Sequence, residues 1–152
     1  MMLTREEFEE LITEPSKRID EDIQWAKDNN NLLWVKFRAA VITDSGHDLF
    51  IQGSFNAFNN KLSYHLIYRP VGRIYGLDLG QEHTNPDRQR IGETHKHRWT
   101  ETFKDKAAYA PPDITAPATQ PVEVWQQFCQ EAGIQHNDTM SLPPDQQLDL
   151  FL

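Results

Sequence analysis

From residue 32 onward the chain alternates apolar and polar side chains with a period of two. Leu33, Val35, Phe37, Ala39 and Val41 fall on one side, and Trp34, Lys36, Arg38, Ala40 and Ile42 on the other. That is the pattern of a strand that buries one face. The same alternation predicts strands over residues 48–55, 61–69, 73–79 and 94–100. Their inward sets begin with Leu49 and Ile51, then Leu62, Tyr64 and Leu66, then Tyr75, Leu77 and Leu79. The first links are short and made of turn formers, Asp44-Ser45-Gly46 and Pro70-Val71-Gly72, so the strands are expected to form an antiparallel meander.

Helical spacing brackets this region. Thr4 and Glu7 make a capping box for a helix over residues 4–14, with Phe8, Leu11 and Ile12 on one face. A second helix, capped by Ser16, is expected over residues 16–28, from Ile19, Ile23 and Ala26 at helical spacing. A last one is expected over residues 122–132, with Pro121 in its first turn, Gly133 as its stop, and Trp125, Phe128, Cys129 and Ala132 on one side. The prediction is an α+β fold with two N-terminal helices, a meander of about five strands, a C-terminal helix and a flexible tail. Residues 1–134 are expected to form one domain and residues 135–152 the tail.

Composition narrows the function. The chain has 152 residues, with 23 acids against 15 bases and a formal charge of −8. Bulk electrostatics therefore opposes nucleic-acid binding, and any such contact needs a local basic patch or a partner. A single cysteine, Cys129, excludes an internal disulfide and suits a reducing cytoplasm. No apolar run approaches the roughly 18 residues of a membrane span.

Residues 147–151 read Gln-Leu-Asp-Leu-Phe, after the helix-breaking pair Pro143-Pro144. This run resembles the peptide by which bacterial DNA polymerases and repair proteins bind the sliding clamp of replication. The resemblance implies that Gln147 makes a polar anchor contact, Leu148 fills a small apolar pocket, Asp149 faces solvent, and Leu150 and Phe151 fill a deeper cleft. A short peptide with a few buried apolar anchors binds in this way. The first functional expectation is an interaction protein that docks on the clamp, accessory to or inhibitory of replication or repair, and reaches DNA through it. The alternative is that Leu148, Leu150 and Phe151 fold back onto the body.

Residues 78–106 hold a second concentration of chemistry: Asp78, His83, Asp87, His95, His97 and Glu101. On a strand, His95 and His97 point the same way. His95, His97, Glu101 and Asp78 are candidate ligands for a divalent metal such as zinc, iron or manganese. His95, His97 and His83 are candidate catalytic groups, and two imidazoles near Arg98 suit a phosphate with one as base and one as acid. The second expectation is a small metal- or histidine-dependent phosphodiesterase or nuclease. The structural alternative is a solvated polar strand with Trp99 under its edge. Arg88, Arg90, Lys96, Arg98 and Lys104, interleaved with Trp99 and Phe103, are candidate nucleic-acid contacts.

The spacing from His95 to Glu101 resembles the first motif of the cupins, but the flanking glycines and the second half of a jelly roll are missing, so nothing is carried over. Residues 73–99 resemble a family of small bacterial and phage-associated proteins with no assigned activity. That resemblance implies no catalytic residue. It adds a third expectation, a toxin, antitoxin or phage-defence factor.

Overall fold

A computed structural model describes residues 3–144 of the chain. In chain order the elements are α1 (Arg5–Thr13), β1 (Arg18–Ile19), β2 (Ala26–Asp28), β3 (Asn31–Val41), β4 (Leu49–Asn56), β5 (Lys61–Tyr68) and β6 (Gly72–Leu79). There follow β7 (His83–Thr84), β8 (Arg90–Ile91), β9 (Thr94–Arg98), β10 (Ala108–Tyr109), α2 (Pro121–Ala132) and β11 (Gln135–His136). The fold is α+β. Seven strands form the main sheet in the order β10-β9-β6-β5-β4-β3-β2, and every pairing in it is antiparallel. The five expected strands are its centre, and β2 and β10 extend it at either edge.

The second N-terminal helix does not form. Lys17, Ile19, Ile23 and Trp25 are buried, while Asp20, Glu21, Asp22, Gln24 and Ala26 are exposed, so the buried residues all stand at odd positions, as in extended chain, with the alternation broken at Glu21. Ser16, the expected cap, instead bonds Glu14 and the Asp44 amide. The stretch that was to be a free tail from Gln135 is also corrected in its first part. β11 pairs in parallel with β1, joining Gln135 to Arg18 and His136 to Ile19. Asp22 Oδ1 accepts from the Thr139 amide at 2.9 Å, and the Ser141 amide donates to Ile23. The clamp-like run 147–151 lies outside the described residues.

Both helices cover one face of the sheet. α1 carries the expected capping box between Thr4 and Glu7. α2 starts at Pro121 and ends on Gly133, which is left-handed at φ 70°. Trp125 and Phe128 of α2 meet Phe37, Tyr64 and Tyr75 of the sheet. The Tyr64 hydroxyl donates to the Pro121 carbonyl at 2.6 Å. Arg98, the partner of Tyr75 across the β6–β9 pair, lies over Phe8 and bonds Glu9, which puts α1 on this same face. No helix among the described residues is long and apolar enough to cross a membrane.

The opposite face carries no helix among the described residues. Cross-strand partners share a face, so the register sets out two polar rows. One runs Lys36, Ser54, Ser63, Asp78, His95, and the other Arg38, Gln52, His65, Gly76, His97.

Candidate metal centre

Asp78 is where the two rows meet. Its Oδ1 accepts from Ser63 Oγ at 2.5 Å and lies 2.9 Å from His65 Nε2. Its Oδ2 lies 3.2 Å from His97 Nε2 and 3.4 Å from His95 Nε2, with the Arg73 guanidinium at 3.7 Å. Burial acts to raise this carboxyl, but hydrogen bonds from His65, His95 and His97 outweigh it and hold Asp78 well below the usual carboxylate range.

A fourth imidazole, His83, arrives from the segment between β6 and β9. The chain leaves β6 through Gly80, at φ 88°, where a Cβ would stand 2.2 Å from the Asn60 carbonyl oxygen, so only glycine fits the turn. β7 and β8 then pair with each other. The Asn85 side chain bonds both the amide and the carbonyl of Ala108 at 2.8 Å, and so ties the segment to the free edge of β10. This brings the His83 ring to 4.7 Å from His97 and 5.4 Å from His95, centroid to centroid. One ligand atom from each of His83, His95 and His97 lies within 4.8 Å of the others.

The far side of each ring is held by the backbone. His95 Nδ1 faces the Gly92 carbonyl at 3.1 Å, His97 Nδ1 faces Asp105 at 2.8 Å, and His83 Nε2 faces Lys106 at 2.7 Å. A nitrogen facing a carbonyl must donate, which assigns the proton of neutral His95 and His97 to Nδ1. Burial lowers the His97 pKa, with the hydrogen bond to Asp78 acting the other way, so the neutral ring is favoured. In the neutral rings the Nε2 lone pairs of both converge on a carboxylate oxygen, so the arrangement takes a positive charge there, either a second ring proton donated to Asp78 or a metal ion. Imidazoles anchored by carbonyls on their other nitrogen are the usual outer shell of a metal-bound histidine. Three imidazoles and a carboxylate suit zinc and its neighbours, and suit magnesium or calcium poorly.

Gly76 makes room for this. A Cβ there would stand 2.8 Å from His65 Cδ2 and 3.2 Å from Arg73 Cδ, so both side chains reach Asp78 only across a bare backbone. A lone glycine inside a strand is a sequence signal for such close approach. The sequence reading did not use it, and it did not find Ser63, Arg73 or Asn85.

The structure brings His83, His95 and His97 together, sets Asp78 against His95 and His97, and leaves the other expected residues apart. Glu101 accepts from the Arg5 amide at the start of α1, and Asp87 bonds the Gln89 amide in its own turn. The five candidate nucleic-acid contacts do not form one surface. Lys96 is a correction: it is fully buried on the helix-covered face, between Asp113 at 2.7 Å and Glu131 at 2.9 Å. Arg98 is engaged with Glu9 on that face, away from the imidazoles. Arg90 pairs with Glu82, Arg88 turns the loop at φ 70°, and Lys104 lies over Trp99.

Residues 3–134 match the model of a family described as a family of unknown function, DUF6978, and the chain belongs to that family. No curated protein and no solved structure matches it.

Proposed function

We propose that this member of the family is a hydrolase that holds one divalent transition-metal ion at His83, His95, His97 and Asp78 and cleaves a phosphodiester. The observation that carries the reading is the convergence of the His95 and His97 Nε2 atoms on Asp78 Oδ2 while their Nδ1 atoms donate to main-chain carbonyls. When bound, such an ion polarises a phosphoryl oxygen and lowers the pKa of a water. The residues of the chain supply the rest. His95 and His97 are buried and fixed, whereas His83 is half-buried and closes the set from the loop side. His65 is partly exposed on the second oxygen of Asp78, placed to take or give a proton. Arg73, held by Asp105 at 3.1 Å, offers a cation to a phosphate oxygen.

The test is elemental analysis of the purified chain, with hydrolysis of bis-(p-nitrophenyl) phosphate on the same samples. About one equivalent of zinc, iron or manganese is expected, lost in His97→Ala together with hydrolysis. His83→Ala, at the least buried position, serves as the second variant, with circular dichroism to check the fold. A chain that takes up none of these metals, or hydrolysis that neither variant changes, removes the reading.

A second reading concerns the tail. The family match stops at residue 134, so the run from Gln147 to Phe151 stands outside the shared fold, as an added docking peptide would. It would bring the body to DNA by way of the bacterial sliding clamp and raise its local concentration there. The decapeptide 143–152 should bind the clamp, and Phe151→Ala should abolish binding. A peptide indifferent to that change excludes the reading.

A further inference from the structure

We infer that the face of the sheet opposite α1 and α2 is a track for single-stranded nucleic acid that leads across the strands to the histidine centre. The inference names the substrate class of the hydrolase proposed above and rests on that reading.

The first ground is where the acids are not. In a chain with more acids than bases, strands β3, β4, β5, β6 and β9 together contain one carboxylate, Asp78, which belongs to the centre itself. The alternation of these strands puts Lys36, Arg38, Lys61 and His65 on the open face, and Arg73 reaches Asp78 there. Acids approach only from flanking segments. Asp28 pairs with Lys36, Asp48 with Arg69 and Asp105 with Arg73. Arg38 has no carboxylate partner among the described residues. The acids of α1, Glu6, Glu7, Glu9 and Glu10, lie on the helix-covered side.

The second ground is stacking surface. Trp34, Lys36 and Arg38 alternate on the open side of β3, an aromatic beside two cations. The guanidinium groups of Arg38 and Arg69 lie over the Phe50 ring, at 4.5 and 4.8 Å from its centroid. Planes held in this way stack on unpaired bases, and the bases of a duplex are not available to them.

The third ground is continuity. Arg38, Gln52, His65, Gly76 and His97 are successive partners across five strands. Four strand spacings make the row about 19 Å long, enough for several nucleotides with one phosphate at Arg73 and the next bond at the centre. Single-stranded nucleic acid is the occupant that uses the cations, the aromatic and the phosphodiester chemistry together.

Fluorescence anisotropy of the full chain with labelled oligo-dT, oligo-U and a mixed duplex tests this, at salt from 50 to about 200 mM. Both single strands should bind and the duplex should bind at least tenfold more weakly; the dT and U arms show whether DNA or RNA is preferred. Contact with three or four phosphates predicts a log–log salt slope of about −2 to −3. Arg38→Glu and Trp34→Ala should each weaken binding tenfold or more. Arg5→Glu, the same change of charge on the helix side, should leave it within twofold. Metal content of the same samples separates the two proposals: binding that depends on Arg38 in a metal-free chain keeps the track and removes the hydrolase. Absence of single-strand binding at 50 mM salt, or equal losses in Arg38→Glu and Arg5→Glu, overturns the track.

Discussion

Gly76→Ala isolates the packing on which the candidate centre depends. The backbone at Gly76 lies outside the left-handed region, so alanine fits the strand and should stabilise it by roughly 0.5–1 kcal/mol through lost freedom of the unfolded chain. Against this, the new methyl would meet His65 Cδ2 at 2.8 Å and Arg73 Cδ at 3.2 Å. The imidazole must retreat by several tenths of an ångström, which breaks its 2.9 Å contact with Asp78. A lost hydrogen bond to a charged group is worth about 1.5–3 kcal/mol, so the net loss is about 1–2 kcal/mol. His65→Ala removes the obstacle. In that background the same glycine substitution should be neutral or slightly stabilising, which gives a coupling of about 1.5–3 kcal/mol between the two sites, the worth of the lost hydrogen bond. Urea denaturation of the four proteins, followed by circular dichroism with chelator present, measures the cycle. Equal effects of Gly76→Ala in both backgrounds, within about 0.5 kcal/mol, would refute the claim that glycine is there to admit His65.

Two further outcomes follow from the helix-covered face. Burial raises the Cys129 thiol to about 12, so the native chain should react with iodoacetamide at pH 8 on the order of a thousandfold more slowly than the unfolded chain; comparable rates would contradict its burial. Tyr64 is fully buried with its hydroxyl on the Pro121 carbonyl, and burial pushes its ionisation well above the ordinary value. Tyr64→Phe should therefore cost about 1–2 kcal/mol in urea denaturation, and an unchanged midpoint would show that this bond does not hold α2 to the sheet.

β3 and β5 were legible because each buries one face in a clean alternation; β4, β6 and β9 are buried on both faces and were legible from alternating residue types between turn formers. α1 and α2 were legible because their ends carry chemical signals, the Thr4–Glu7 box and the Pro121 and Gly133 boundaries. The false second helix has an identifiable cause. Ile19 and Ile23 are four apart, a spacing that suits both a helix and a strand, and Ala26 tipped the reading. The deciding residue was Trp25, which shares odd parity with Lys17, Ile19 and Ile23 and is buried with them. The docking of residues 135–141 left no local trace, because β11 and β1 pair in parallel across more than a hundred residues of chain. At the centre, parity placed His95 on the same side as His97, and the β6–β9 register set His95 opposite Asp78. The position of His83 depended on Gly80 and Asn85, each acting through a backbone partner distant in sequence.

β9 shows why composition misleads at this point. Thr94-His95-Lys96-His97-Arg98 reads as a solvated strand, yet His95, Lys96 and His97 are each at most 3% exposed. Buried polar groups persist only when partnered, and the two sides of β9 meet that demand differently. Lys96 is satisfied within the chain: two carboxylates accept from its ammonium, and the Tyr75 ring lies 5.5 Å below. It acts as a strut between the sheet, α2 and the segment that carries Asp113. His95 and His97 have their Nδ1 protons taken up by carbonyls, and their second nitrogens share one oxygen of Asp78. Neutral rings have no proton left for that oxygen, and the group is complete only with a cation on the Asp78 side, a metal ion or the second proton of an imidazolium. Stability alone would be served better by closing it, as Lys96 is closed. The gap is what distinguishes a place for an ion from a buried polar network, and it is why the histidine side of β9 is read as a site and the lysine side as support.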